Sequence, residues 1–375
     1  LVAVITDGSR VLGLRNIGPI ASLPVMEGKA ILYKLLGGVD AFPIALALKE
    51  PDSVDSFIEA VLPLQPNFGA VNLEDIAQPR CFRILRTLSE KAEIPIWHDD
   101  QQGTATVTLA ALINALKLAR KRIQKVRIAF IGCGAANVAI TRLIFAYGAN
   151  PSLCTMVDSK GILHKNRTDI EAKQDEFIEK WELCKITNKK GHTGGIAEAL
   201  VGADVCIALS RSGSDTILPE WVSKMAKKSI VFACANPEPE ILPSVAKKAG
   251  AFIVATGRSD FPNQVNNSLG FPGIMRGTLD VRARTITDEM CISASKALAQ
   301  YAEKEGLRPD YIIPTMDDWK VFPAVAAAIA VKANEQGVAR IKTTFDQELQ
   351  RASKIIERTR KMVETITASG YIPLL

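Results

Sequence analysis

The run Val126-Arg127-Ile128-Ala129-Phe130-Ile131-Gly132-Cys133-Gly134-Ala135-Ala136-Asn137 decides the fold. Val126–Ile131 is apolar and β-branched over the length of a buried strand. Gly132-x-Gly134 makes a tight turn, and Ala135–Tyr147 repeats apolar residues at helical spacing. A second predicted strand, Leu153–Val157, stops at Asp158, and others follow at Asp204–Leu209, Ile230–Ala235 and Phe252–Ala255 with helical segments between them. Strand, glycine turn, helix, strand and terminal acid are the pattern of a Rossmann-type, doubly wound dinucleotide-binding domain. Two glycines let the backbone approach a pyrophosphate, which would rest on the helix N-terminus at Ala135 and Ala136. The third position is Asn137 rather than Gly or Ala, so looser packing of helix on strand is expected. Asp158 is placed to accept ribose hydroxyls and to repel a 2′-phosphate, which favours NAD. Ser159 and Lys160 follow directly, soften that preference and leave NADP open.

Upstream, residues 1–123 alternate strand-like runs (Val2–Ile5, Ala41–Ala47, Gly69–Leu73, Ile94–Trp97) with helical ones (Lys29–Leu36, Ser53–Leu62, Cys81–Ala92, Thr104–Arg120), an α/β order. Two of these strands end in acidic doublets, Glu74-Asp75 and Asp99-Asp100. In a parallel sheet such ends converge on one rim, where a ligand crevice forms. Four carboxylates on one rim repel each other unless a divalent cation neutralises them, and oxygen-rich, thiol-free ligation suits Mg²⁺ or Mn²⁺ better than zinc. A single doublet would equally suit the first turn of a following helix. Lys29 is expected where a turn feeds a helix, at the end that favours anions; that mismatch lowers its pKa and suits a general base, the alternative being a surface lysine. Loops at Ala235–Glu240 and Pro262–Gly273 carry Asn236, Asn266 and Asn267, amides able to bind a carboxylate or hydroxyl or simply to shape turns.

After Gly273 the pattern turns helical (Thr287–Lys304, Ala324–Gln336, Asp346–Ser369) with no strands to cover. These helices are expected to pack back on the first domain. The predicted organisation is 1–123 for substrate and metal, 124–264 for NAD(P), and 265–375 as the returning segment that makes the first domain discontinuous. The 375 residues, 47% hydrophobic and 23% charged, are those of an ordinary globular protein of two domains. The net charge of +6 is spread along the chain, and no aromatic-basic interleaving suggests nucleic acid. Seven scattered cysteines lack metal spacing, which with the absence of a signal peptide or membrane span predicts a reduced, cytoplasmic protein without membrane partners. The chain opens directly on an apolar strand without Met, so a lost upstream segment is expected.

Together these segments resemble the malic enzyme family (oxaloacetate-decarboxylating malate dehydrogenases) in its smaller, prokaryote-like form. The resemblance rests on Thr6-Asp7-Gly8-Ser9-Arg10-Val11-Leu12-Gly13-Leu14, Pro24-Val25-Met26-Glu27-Gly28-Lys29, Leu73-Glu74-Asp75-Ile76, His98-Asp99-Asp100-Gln101-Gln102-Gly103-Thr104-Ala105 and Val265-Asn266-Asn267-Ser268-Leu269-Gly270-Phe271-Pro272-Gly273. It implies oxidative decarboxylation of L-malate to pyruvate and CO₂ with reduction of NAD(P), in a homodimer or larger. It implies Glu74, Asp75 and Asp100 as ligands of Mg²⁺ or Mn²⁺, and Lys29 as general base positioned by Asp99. Arg10, Asn236 and Asn267, with Asn266 beside it, would hold the substrate. Two features depart from the family. The tyrosine that serves as general acid would lie upstream of the first strand, and none of Tyr33, Tyr147, Tyr301, Tyr311 or Tyr371 stands in its context. Arg15 occupies a position where the family usually has Gly. The first departure leaves an oxaloacetate decarboxylase, or a non-catalytic nucleotide- or malate-binding regulator, as alternative readings.

Overall fold

Val2–Thr6 (β1) is a run of small and β-branched residues with every side chain buried, as expected of a strand covered on both faces. It pairs in parallel with Ala41–Ala45 (β2) and Ala70–Leu73 (β3), and β3 pairs in parallel with Ile96–His98 (β4). The sheet order is β2-β1-β3-β4. Leu73 lies opposite His98, so β3 and β4 end level and the residues after them, Glu74 and Asp99, emerge together on one rim. The computed structural model describes residues 1–371, which fall into two compact units. This sheet belongs to the first unit, made of Leu1–Asp99, Ser268–Leu298 and the chain from Met316 onward.

The helix that carries Lys29 is longer than its sequence suggests. It spans the 20 residues Gly18–Gly37 (α1) with Pro24 inside it. Pro24 and Gly28 read as breakers, yet the buried positions Ser22, Met26, Lys29, Tyr33 and Leu36 form one stripe at helical spacing, and tertiary packing of that stripe overrides local propensity. Lys29 therefore sits mid-helix and buried, not at the N-terminus where it was expected. Val54–Val61 (α2) is capped by Ser53, whose side chain accepts from the backbone N–H of Ser56, and Arg80–Lys91 (α3) buries Cys81, Ile84, Leu85 and Leu88. The returning helices Phe271–Asp280 and Val321–Glu335 approach closely at Gly273 and Gly277, where an added Cβ would stand 2.8 Å from the Phe322 carbonyl oxygen and 2.3 Å from that of Ala326.

The second unit comprises Asp100–Asn267 and Ala299–Thr315. It contains helix Thr104–Ala119 (α4), strand Ile128–Ile131 (β5), helix Ala135–Ala146 (α5) and strands Thr155–Asp158 (β6), Gly161–Ile162 (β7), Val205–Ala208 (β8), Ile230–Ala233 (β9) and Ile253–Thr256 (β10). The order is β10-β9-β8-β5-β6-β7, parallel except for β7. The chain moves from β5 to β6 on one side and resumes with β8 on the other, so the switch point of a doubly wound sheet falls at the end of β5. The unit begins at Asp100 rather than at 124, because α4 packs on α5. The segment Ala299–Thr315 joins it through Asn114, whose amide donates to the Ala299 and Ile312 carbonyls at 2.9 Å each.

One buried acid of the first unit stands apart from any ligand site. Glu348, in the helix Phe345–Ala368, is fully buried and neither oxygen meets a hydrogen-bond donor among the described residues. Burial first, then the neighbouring Asp280 carboxylate, pushes its carboxyl up to about 8, against the pull of Arg351 and Arg276. A protonated Glu348 can donate to Asp280; its charged form cannot. The folded chain thus keeps a proton that the unfolded chain releases, and this stabilisation is complete below the unfolded glutamate pKa and lost as pH rises toward 8. The melting temperature is expected to fall as pH rises from about 5 to about 9. Glu348→Gln, neutral throughout, should flatten that fall and raise Tm at the alkaline end in calorimetry.

Candidate active site

The rim above β3 and β4 holds an ammonium between two carboxylates. Lys29 Nζ lies 2.6 Å from Asp99 Oδ2 and 2.9 Å from Glu74 Oε1, all three side chains buried. Trp97 donates its indole N–H to the other Asp99 oxygen at 3.1 Å, so both oxygens of Asp99 are engaged. The ring of Phe271 lies 4.3 Å from Nζ and 4.5 Å from the ring of Tyr33, adding a cation–π contact. Burial alone would push the Lys29 ammonium down; Asp99 and Glu74 overcome this and hold it above the ordinary lysine range. The pKa expected to be lowered is therefore raised, because the lysine sits among acids and not on a helix dipole. His98, just before Asp99, is pushed down to about 4 chiefly by burial and is neutral.

Glu74, Asp75 and Asp100 each offer a carboxylate oxygen, and these atoms lie within 4.8 Å of one another. Asp100 belongs to the π-helical turn Asp99–Gly103 that leads into α4, a feature frequent at functional sites. The donor set is all oxygen, with no nitrogen or sulfur. It fits a hard divalent ion, whose ligands at about 2.0–2.6 Å stand within such spacing. Asp75 adopts a left-handed φ of 57°, strain of about 1–3 kcal/mol that local contacts must hold. Its carbonyl accepts the backbone N–H of Arg10 at 2.9 Å.

Arg10 itself is exposed, on a firmly tied loop. Asp7 accepts from the Ser9 backbone and hydroxyl at 3.0 and 2.5 Å and from Arg80, while Ser9 Oγ accepts from the Ala77 N–H at 2.8 Å. Arg15 closes the following turn, exchanging backbone hydrogen bonds with Val11 at 2.8 Å, with φ at 66°. This explains the expected departure: the position is one glycine fills without strain, and the arginine accepts the left-handed backbone while its side chain stays exposed.

In the second unit, Gly132 has a φ of 101°, and a Cβ there would stand 2.4 Å from the Leu209 carbonyl oxygen. Nothing lies within 4 Å of the position a Gly134 Cβ would take. Ala135 and Ala136 open α5 with no side-chain cap, leaving its first N–H groups free to face an anion. These features fit a pyrophosphate. Asn137 differs from expectation. It is fully buried, and its amide donates to the Ile131 and Gly132 carbonyls at 2.9 and 3.0 Å, so it fastens the turn to β5 from inside. Asp158 also differs. Its oxygens are taken by Arg167 at 3.1 and 2.9 Å and by Lys180 at 2.5 Å. Burial would raise its pKa, but Arg167 and Lys180 bring it below the usual range.

Asn236, Asn266 and Asn267 are all half-buried in the second unit, and the Asn236 amide rests where a Gly257 side chain would be, 2.8 Å from its notional Cβ. Residues 1–89 match the family model described as malic enzyme, N-terminal domain, and residues 101–337 the one described as malic enzyme, NAD binding domain. The chain belongs to the malic enzyme family. It is 50% identical over 362 residues to the bifunctional malic/malolactic enzyme of Bacillus subtilis, covering 96% of this chain and 84% of that protein. It is 44% identical to the NAD-dependent malic enzyme of Geobacillus stearothermophilus, covering 90% of this chain and 68% of that one. The crystal structure of the Entamoeba histolytica malic enzyme superposes with a TM-score of 0.96 at 52% identity, over 99% of this chain and 77% of that one.

Sequence reasoning missed Tyr33, Asn72, Trp97 and Phe271 around the lysine, and Arg167 and Lys180 around Asp158. Asn72 carried a signal: it is the polar member of the wholly buried strand Ala70-Val71-Asn72-Leu73, and a buried amide demands partners. Tyr33 lies one turn beyond Lys29 on the same buried stripe. For this malic enzyme, removing the Asn137 amide (Asn137→Ala) takes a donor from the Gly132 carbonyl and from the Ile131 carbonyl, which keeps the Leu209 N–H at 3.0 Å, and should cost about 0.5–1.5 kcal/mol of stability. Weaker NAD binding should accompany it, read by calorimetry and titration; an unchanged Tm would contradict the fastening role.

Proposed function

We propose that the protein is a divalent-metal-dependent malic enzyme that oxidises L-malate to pyruvate and CO₂ while reducing NAD or NADP. The observation that carries this reading is the Lys29 ammonium held by Asp99 and Glu74 beside the oxygen-only group Glu74, Asp75 and Asp100. A divalent ion on those three carboxylates would supply Lewis-acid polarisation of the substrate hydroxyl and compete with the Lys29 ammonium for the charge of Glu74. A bound nicotinamide would supply the hydride acceptor, and Lys29 Nζ, in its neutral form, would take the proton of the C2 hydroxyl as general base. Asp99, fixed by Trp97, keeps the amine oriented. Arg10 suits a substrate carboxylate through its guanidinium fork, and Asn236, Asn266 and Asn267 suit the remaining oxygens.

Cofactor choice follows from Asp158. A carboxylate already neutralised by Arg167 and Lys180 does not repel a 2′-phosphate as a bare one would, and Lys160 stands beside it with a two-thirds exposed side chain. Both NAD and NADP are therefore cofactors in this reading. The reading also takes the protein to be cytoplasmic, which fits seven cysteines without a disulfide, and to be a homodimer or larger. Among the described residues no helix is long and apolar enough to cross a membrane. Along α1, Ile20, Leu23 and Ile31 leave an exposed apolar line that suits a second subunit.

Purified protein should form NADH or NADPH from L-malate only with Mg²⁺ or Mn²⁺, with pyruvate and CO₂ in equal amounts. Turnover that survives exhaustive chelation would overturn the reading. Lys29→Ala should lower kcat by about 10²–10⁴-fold with NAD binding intact. Lactate as product would point to malolactic chemistry, and activity on oxaloacetate alone to a partial reaction. Lys160→Ala should lower kcat/KM for NADP and leave that for NAD little changed.

A further inference from the structure

We infer that Tyr33 and Asn72 are positioning residues that set the orientation of the Glu74 carboxylate for its ion. The inference rests on the reading of Glu74 as a metal ligand. Asn72 and Glu74 are two apart on one stretch of chain, so their side chains leave the backbone toward the same face. Asn72 Nδ2 donates to Glu74 Oε2 at 2.8 Å, and Tyr33 Oη donates to Asn72 Oδ1 at 3.0 Å. Tyr33, Asn72 and Glu74 are all buried.

The direction of this relay is fixed by chemistry. The Glu74 oxygen can only accept when ionised, so the amide must turn its NH₂ toward it. The other end of the amide is then an acceptor, and the only proton Tyr33 offers is its phenolic one. Burial, then the charges of Asp99 and Glu74, keeps that phenol protonated. Turning the amide over would set two acceptors face to face. Tyr33 thus holds Asn72 in one orientation, and Asn72 holds Glu74.

Glu74 is gripped from two sides. Lys29 takes Oε1 and Asn72 takes Oε2. Lys29 and Tyr33 come from one turn and the next of α1, and Asn72 and Glu74 from the end of β3. The four side chains therefore close a ring between one helix and one strand, braced by the Phe271 ring against both Lys29 and Tyr33. A leucine at position 72 would suit the apolar strand better. A buried asparagine there is accounted for by what it holds, and outer partners of metal ligands commonly govern metal affinity by 10–100-fold.

The test measures Mn²⁺ binding to the NAD-free protein by paramagnetic resonance of the free ion, beside Tm, NAD affinity and the Mn²⁺ dependence of malate oxidation. Asn72→Leu should raise the Mn²⁺ dissociation constant by about 10–100-fold, and Tyr33→Phe should raise it in the same direction by less. In both, excess Mn²⁺ should restore most of kcat, and NAD affinity should stay as in the parent. A purely structural role would lower Tm and leave the Mn²⁺ constant, measured well below melting, unchanged; that result overturns the inference. If Asn72→Leu fails to fold, Tyr33→Phe, which removes one oxygen and keeps the ring, decides alone. Glu74→Gln serves as control. Unchanged Mn²⁺ affinity in Glu74→Gln would sink the metal-site reading itself, whereas loss there with none in Tyr33→Phe sinks only the relay.

Discussion

The buried ammonium of Lys29 is the constraint around which the first unit is arranged. Taking an ammonium and two carboxylates out of water costs several kcal/mol per ion, and only close geometry with further hydrogen bonds repays it. The chain supplies both. Lys29 touches Asp99 and Glu74 at hydrogen-bond distance, Trp97 and Asn72 satisfy the outer oxygens, and Phe271 covers the aliphatic and cationic face. Each of these partners needs its own element in register. A slip of one residue between β3 and β4 would separate Glu74 from Asp99, and a break in α1 at Pro24 would withdraw the lysine. The parallel register of Leu73 with His98 and the length of α1 are thus conditions of the charge cluster as well as features of the fold.

Strain also enters the loops that meet this cluster. Asp75 and Arg15 both carry left-handed backbones, which cost non-glycine residues energy that surrounding contacts must offset. The contacts are local and polar: Asp7 with Ser9 and Arg80, Ser9 with Ala77, and Arg10 with the Asp75 carbonyl. They tie the loop after β1 to the loop after β3. The Asp75 backbone is in this way held in a conformation it would not choose unaided.

The sequence made the strands and their acidic ends legible because burial on both faces writes a continuous apolar run and a doublet of acids interrupts it. It made the turn at Gly132 legible because only glycine tolerates that φ with the Leu209 carbonyl so near. It misplaced the start of α1, since proline and glycine weigh heavily in local reading while the stripe of Ser22, Met26, Lys29, Tyr33 and Leu36 acts only once a sheet is present to cover it. The lysine's pKa direction was misjudged with it. The partners of Asp158 were out of reach for another reason: Arg167 and Lys180 lie in later elements, and nothing in their local spacing announces the carboxylate they meet. Asn137 shows the same limit, because a missing third glycine reads as a defect until its amide is seen to bond the carbonyls of the turn.

Both units handle acidity alike. In the first, Glu74 and Asp99 share the single ammonium of Lys29; in the second, Asp158 is neutralised by Arg167 and Lys180. On the reading proposed above, binding at Glu74 would be an exchange, in which an arriving cation weakens the hold on an ammonium already present. The affinity of such a site would be the difference between two opposed attractions. Such a difference is sensitive to small changes in where the carboxylate points, which is why an amide and a phenol two bonds removed from the ion can matter to it. On that reading the same exchange would leave Lys29 with one carboxylate fewer, and so would favour loss of the proton that a general base must first give up.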